Sequence, residues 1–370
     1  MLKKMLYLFA VIVMFTNYTF AEDDAVSNTE LTGQVSQVEE QFEKENVLPE
    51  DKINNISISG LIELEANYEK MDSNDISLAT AMLNIDAEVI KYIKGHITFL
   101  YEDGEDLLLD EGYILMDGEN ILPLHLKAGE ICVPFGKFES SMISDPLTLE
   151  MGEMHETAVE LGTQYFGFYS SIYAFNGDID KSGNNRIDNY GASIGYVIEK
   201  ELYGLDVGVD WINNIIDSDK YSDIIAEKIE EYNTNNIGLE LRDYVPGFCA
   251  HAIFSLGPVT LIGEYISMLK EPEWNIITDL FLDSIIKDKK IVTWNFELGY
   301  TFSPLGKETT FAAAIQGSEN GDKYFPKERY IGSIGVNICE GVTLSLEYHR
   351  DEYETVDNVD VLTTQLAIEF

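Results

Sequence analysis

The chain has 370 residues, with 24 Lys+Arg against 66 Asp+Glu and a formal net charge of −42. That balance excludes a nucleic-acid binder working through a basic surface. An aromatic content of 11% excludes a wholly disordered acidic chain. Three cysteines, Cys132, Cys249 and Cys339, form no C-x-x-C pair, so their spacing marks neither a zinc nor a redox motif, and no cofactor is expected. The length suits two ordinary domains or one large barrel.

The N-terminus has the layout of a secretory signal peptide over residues 1–21. Lys3 and Lys4 precede the apolar run Met5–Phe15, and Thr19-Phe-Ala21 leads into Glu22-Asp-Asp. The run is short for a membrane-spanning helix, which needs about 20 residues. The expectation is export and cleavage after Ala21. Residues 22–55 then place Val35, Val38 and Phe42 on one helical face, ending at Pro49. This predicts a short periplasmic helical or linker segment.

From Ile56 the period changes to two. Ile56, Ile58, Ile62 and Leu64 alternate with Ser57, Ser59, Glu63 and Glu65; Trp294, Phe296, Leu298 and Tyr300 alternate with Asn295, Glu297 and Gly299. Strand side chains point to opposite faces in turn, so each segment has one apolar and one polar face. The segments approach the roughly 9–11 residues that a tilted strand needs to cross a bilayer. Strands are predicted at 56–66, 76–90, 96–103, 106–117, 122–134, 157–165, 168–176, 189–198, 205–215, 248–256, 259–269, 291–302, 308–317, 329–338, 342–352 and 360–370. Short connectors alternate with long ones at 135–156, 177–187, 216–247, 270–290 and 318–328, the pattern of an all-β transmembrane antiparallel barrel of about 16 strands over 56–370. Residues 237–245 look strand-like, but an added crossing would break the even count. They are expected to form an extracellular arm or to extend the tenth strand. The final strand ends on Phe370 and resembles the assembly signal of bacterial outer-membrane barrels. A soluble β-sandwich is the alternative; it would use shorter strands and bury its apolar face.

With the apolar face toward lipid, the polar face lines a lumen. Glu63, Glu65, Asp86, Glu88, Glu264, Glu297 and Glu347 fall on it, with few bases in register. Carboxylate rings favour cations. The 216–231 loop carries Asp217, Asp219, Asp223, Glu227, Glu230 and Glu231, as solubilising charge or as carboxylates sharing cations with lipopolysaccharide. Asp178, Asp180 and Ser182 match the start of a calcium loop, but Asn189 stands where a bidentate Glu is needed, so a polar turn is the simpler reading.

The segment 129–156, GEICVPFGKFESSMISDPLTLEMGEMHE, mixes apolar residues with Asp145, Glu150, Glu153 and Glu156. After Gly129 the apolar face shifts to Ile131 and Val133, which predicts a β-bulge at the rim. A loop of this kind is expected to fold inward and narrow the lumen. His155 and His349 stand near acids without an accompanying nucleophile motif, so an enzyme is not expected.

The run Val133-Pro134-Phe135-Gly136, then Met142 through Asp145-Pro146-Leu147 to Glu150, then Gly152-Glu153, resembles the LbtU-type siderophore porins of Gram-negative bacteria. The resemblance extends to the signal peptide, a short helical segment, the Asn176-Gly177-Asp178 turn and the terminal Phe. It implies an outer-membrane channel that takes up an iron-siderophore without TonB. A general cation-selective diffusion porin is the alternative, with small ions as cargo. Outer-membrane lipid, lipopolysaccharide and two further copies in a homotrimer are the expected partners. Anionic iron complexes would meet repulsion in an acidic lumen, so the cargo is neutral or cationic unless Arg186 or Arg329 forms a local basic site.

Overall fold

The computed structural model describes residues 56–69, 74–118, 122–177, 179, 186–225, 237–278, 281–321 and 324–370. The expected signal peptide, the 22–55 segment and the calcium candidates Asp178, Asp180 and Ser182 lie outside the described residues.

The strands are β1 (Ile56–Glu69), β2 (Asn74–Ile90), β3 (Ile93–Glu102), β4 (Leu108–Asp117), β5 (Leu124–Cys132), β6 (His155–Tyr165) and β7 (Phe168–Phe175). They continue with β8 (Asn189–Glu199), β9 (Tyr203–Ile212), β10 (Ile237–Leu241), β11 (Gly247–Leu256), β12 (Val259–Met268), β13 (Glu273–Thr278) and β14 (Phe281–Lys287). The last five are β15 (Val292–Phe302), β16 (Thr309–Glu319), β17 (Glu328–Cys339), β18 (Val342–Glu352) and β19 (Val359–Glu369). All but β10, β13 and β14 close into a 16-strand antiparallel barrel, each strand beside its neighbour in sequence. Every segment predicted to cross overlaps one wall strand.

The strand-like stretch after residue 237 does not join the wall. It forms β10, which pairs with β13, and β13 with β14, in a separate three-stranded sheet. These strands run from five to seven residues, too short for a crossing. Parity is kept, and the connector read as a 270–290 loop has strands of its own.

The wall is apolar outside. Ile58, Leu64, Phe99, Val159, Ile172, Phe296, Leu298, Leu344 and Leu346 are exposed on the outer face. Aromatic pairs mark both ends of that band. Tyr165–Phe166, Phe168–Tyr196 and Phe302–Phe311 sit at the short-turn end, and Tyr190–Trp211 toward the long-loop end. An exposed apolar band bordered by aromatic side chains is the outer surface of a membrane barrel. The barrel shuts where Gly60 and Phe370 exchange backbone hydrogen bonds of 2.9 and 3.1 Å.

Gly129 does not start a bulge. The pairing of β5 with β4 and with β6 runs through it in continuous register. Ile131 keeps the inward phase of His125 and Lys127. It is apolar because it is covered from inside the barrel, not because the strand has slipped.

Candidate functional site

Ile131 is covered by the segment between β5 and β6. Residues 133–154 leave the rim, turn into the lumen and return. Val133, Phe135, Leu147, Met151 and Met154 are buried together with Ile131, Tyr173, Phe175, Ile212 and Ile266. This is an apolar core inside a barrel whose inner wall is otherwise polar. Pro134 cannot donate to the ladder. Gly136 takes φ +95°, a conformation that glycine tolerates without steric cost. Pro146 then precedes a short helix, α1 (Leu147–Gly152), which packs on β12, β15 and β16. At Gly152 an added Cβ would lie 2.5 Å from Cδ1 of Ile266, so the helix needs a glycine there to approach the wall.

The loop backbone is held by carboxylates from the far wall. Asp210 on β9 accepts the Gly136 N–H at 3.1 Å. Glu264 on β12 accepts the Lys137 N–H at 2.7 Å and the Thr148 hydroxyl at 2.6 Å. Glu297 on β15 accepts the Ser141 N–H at 2.8 Å and the Ser140 hydroxyl at 2.9 Å. Glu347 on β18 accepts the N–H groups of Ile143 and Ser144 at 2.5 and 3.1 Å. Gln316 on β16 accepts the Leu147 N–H at 3.1 Å. A loop without secondary structure carries many unpaired N–H groups, and each needs an acceptor when buried. Ionised acceptors give the stronger bonds.

Arg329 on β17 clamps the middle of the loop. Its Nε and Nη2 donate to Asp351 at 2.7 and 2.9 Å, Nη1 donates to the Asp145 carbonyl at 3.3 Å, and Nη1 lies 3.5 Å from Glu150. Arg329 is thus a wall residue committed to acids, not a loop base free to attract an anion.

The expected lumen carboxylates all face inward, but they divide into two sets. Glu297 and Glu347 are each 1% exposed, and Glu264 is buried too. They anchor the loop and do not meet the open pore. Glu63, Glu65, Asp86 and Glu88 lie on the β1–β2 wall, which the loop leaves uncovered. Glu65 accepts from Gln365 at 3.0 Å, and Asp86 lies 2.7 Å from Nδ1 of His96. Glu156 faces inward opposite Ile131 and is buried beneath the loop. Two of the acids read as loop surface charge are also structural. Asp217 is buried and accepts from Ile179, Asn189 and Asn214 at 2.7, 2.9 and 2.6 Å. Asp219 accepts the His155 N–H at 3.1 Å and contacts its ring at 2.8 Å.

The lumen also holds a strip of bases that composition hides. Lys94 and His96 on β3 and His125 and Lys127 on β5 all point inward. Lys127 bridges Glu111 at 3.3 Å and lies over the Tyr113 ring at 4.1 Å; His125 is 3.5 Å from Glu160; Lys94 is 3.7 Å from Asp117. Their alternation in KGH and HLK was the available signal. Each base faces an acid, so the strip offsets charge locally.

The loop acids bordering the opening hold their protons more tightly than usual. Enclosure by the barrel raises Asp145 first, then repulsion from Glu150, Glu102 and Glu63 adds to it against Arg329, up to about 6. Its carboxyl still meets lumen water. Burial raises Glu153 to about 7; His155 opposes this, and Asp219, Asp145 and Asp110 reinforce it. Glu150 is raised by burial, with Arg329 opposing.

Such a barrel, with apolar outside, polar inside and a loop drawn into the lumen, has the architecture of an outer-membrane porin. The solved channel DcaP of Acinetobacter baumannii is similar, with a TM-score of 0.59 and 13% identity over 85% of this chain and 97% of that one. The anion-selective porin of Comamonas acidovorans gives 0.55 at 9% identity, over 85% and 99%. OmpT of Vibrio cholerae in its trimer form gives 0.53 at 10% identity, over 85% and 99%. These likenesses establish the fold. In sequence, the chain is similar to a UPF0422 protein of Coxiella burnetii, 24% identical over 319 residues, covering 82% of this chain and 66% of that protein. A UPF0422 protein of Legionella pneumophila is 21% identical over 324 residues, covering 80% and 59%. The chain therefore spans about three fifths to two thirds of the length of these relatives. No protein-family model matches it.

Proposed function

We propose that this chain is an outer-membrane diffusion channel whose opening is set by residues 133–154 and whose charge favours small cations. The observation that carries the reading is the anchoring of that loop by Asp210, Glu264, Glu297 and Glu347. It leaves the free cross-section between the loop edge, at Asp145 and Glu150, and the β1–β4 wall with Glu63, Glu65, Asp86 and Glu88. Carboxylates on both sides of a narrow aqueous passage attract cations. The Comamonas neighbour is anion-selective on the same fold, so wall charge and not fold decides the sign. The outer apolar band fits lipid, and the trimer form of one neighbour supports a trimer here.

Uptake of an iron-siderophore is the finer reading. It rests on the resemblance in 133–153, and those residues are the ones that build the constriction. Val133, Phe135 and Leu147 fill its core, Gly136 makes the turn, Pro146 starts α1, Gly152 lets it approach β12, and Glu150 meets Arg329. The motif thus supports a shared loop architecture and leaves the cargo to experiment.

Two measurements test the pair. In a planar bilayer with a salt gradient, the reversal potential is expected to report cation preference; anion preference would reject the first reading. In cells lacking TonB, chain-dependent uptake of an iron-siderophore would support the second, and uptake equal with and without the chain would reject it.

A further inference from the structure

Beneath the base of the loop, β9, β11 and β12 bring together an Asp, a Cys, a His and a Glu that the channel reading does not use as a set. Cys249 and His251 are two apart on β11 and so share its inner face. Asp210 is the direct cross-strand partner of Cys249, and Glu264 that of His251. The donor atoms of Asp210, Cys249 and His251 all lie within 4.8 Å of one another. Nδ1 of His251 is 4.0 Å from Oδ2 of Asp210, and Sγ of Cys249 is 3.6 Å from Oε1 of Glu264.

A hydrogen-bonded polar cluster would leave no atom over. Here Nδ1 of His251 is buried, has no hydrogen-bond partner and faces the carboxylate and the thiol, while the residue as a whole is 7% exposed. The other ring nitrogen is already oriented: Nε2 lies 3.0 Å from the Tyr169 hydroxyl and 3.5 Å from Asp206. A polar partner on the far nitrogen is how metal-binding imidazoles are fixed in tautomer and direction. Leaving a buried polar atom unpaired costs free energy, and a cation at Nδ1 removes that cost.

We infer that Asp210, Cys249 and His251 form a binding site for a borderline divalent cation of the zinc type, with Glu264 beside the thiol. One sulfur, one imidazole and carboxylate oxygens suit zinc, which sits about 2.0–2.3 Å from such donors in a tetrahedron. Binding takes the thiol proton to solvent. Tyr169 and Asp206, which meet Nε2 of His251, also line a cavity of about 540 Å³ on the short-turn side. The site lies where Gly136 and Lys137 donate to Asp210 and Glu264, so the ion would tie β9 and β11 to the foot of the pore loop.

The test uses the full chain, folded in detergent and stripped of metal, with Co²⁺ as the probe. The wild type is expected to develop a thiolate-to-cobalt charge-transfer band with the intense visible absorption of tetrahedral cobalt, and Zn²⁺ at one equivalent should displace it. Cys249→Ser should lose the charge-transfer band, whereas Cys132→Ser and Cys339→Ser should keep it. Asp210→Asn retains the sulfur and should weaken binding by about tenfold or more. It serves if the serine variant fails to show the heat-dependent gel shift of a folded barrel. A folded wild type without the band, a band that survives Cys249→Ser, or unchanged affinity in Asp210→Asn would overturn the assignment.

Discussion

Glu347 holds Ile143 from 204 positions away in the chain: its Oε2 accepts the Ile143 N–H at 2.5 Å while Oε1 takes Ser144. One carboxylate on β18 thereby fixes the tip of a loop that begins after the fifth strand. Replacing it by Gln keeps one acceptor and turns an amide donor toward an N–H. The loss is about 1.5–3 kcal/mol for each bond to a charged group. In Glu347→Gln the loop tip should loosen, and single-channel conductance should rise and become noisier while the barrel stays folded. A conductance trace identical to the wild type would remove Glu347 from the anchoring role.

Arg329 serves a different purpose, since its partner Asp351 is only 4% exposed. Removing one member of a buried ion pair costs about 3–5 kcal/mol, whereas replacing both by apolar groups is often neutral. Arg329→Ala should therefore lower stability to urea in detergent by that amount. The double change Arg329→Met with Asp351→Leu should recover most of it. Equal losses in the single and double variants would contradict the pairing account.

The loop acids make the channel sensitive to pH. Asp145 and Glu153 lose their protons near 6 and 7 instead of near the usual 3.8 and 4.5. For an acid whose value is raised by folding, the stabilisation is fully present below the ordinary value and fades as pH rises through the raised one. The loop should be held more firmly at pH 4 than at pH 8. The opening gains negative charge over the same interval, so cation preference should strengthen between pH 5 and pH 8. Reversal potentials at the two pH values check this, and Asp145→Asn should remove the lower step and leave the one near 7.

Gly136 sits at φ +95°, and a Cβ there would fall 2.2 Å from the ring of Phe138. A side chain in a left-handed conformation costs about 1–2 kcal/mol by itself, and the clash adds to it. Gly136→Ala should pull the N–H away from Asp210 and loosen the backbone that holds the exposed Lys137. Trypsin should then cut after Lys137 faster than in the wild type. Equal protection would place the turn's rigidity elsewhere.

Replacing residues 139–152 by a short Gly-Ser linker removes Ser141, Ile143, Ser144 and α1 together. The expected outcome is a wider pore, with larger conductance and weaker selectivity. An unchanged conductance would mean that the loop does not bound the open channel.

Much of this was legible in the chain itself. Alternation places Phe296 and Leu298 outside and Glu297 inside, and the alternating connector lengths fix which end carries the loops. Both follow from local geometry, because a strand's period of two is set residue by residue. Local pattern was also enough to suspect that residues 135–156 turn inward. What it could not supply was partnership. Glu297 and Glu347 looked like pore charges because a sequence shows a carboxylate's face but not what covers it. Ile131 looked like a slipped register because its covering core comes from Leu147, Met151 and Met154, across the lumen.

The sequence by itself determined a membrane barrel with a polar interior, because lipid, water and strand pleat each impose a pattern that can be read in order along the chain. Only the tertiary structure decided which carboxylates anchor and which border the opening. It also decided that Cys249 and His251 stand between Asp210 and Glu264. Those assignments depend on the register between strands, and register is set by the closure of the whole wall.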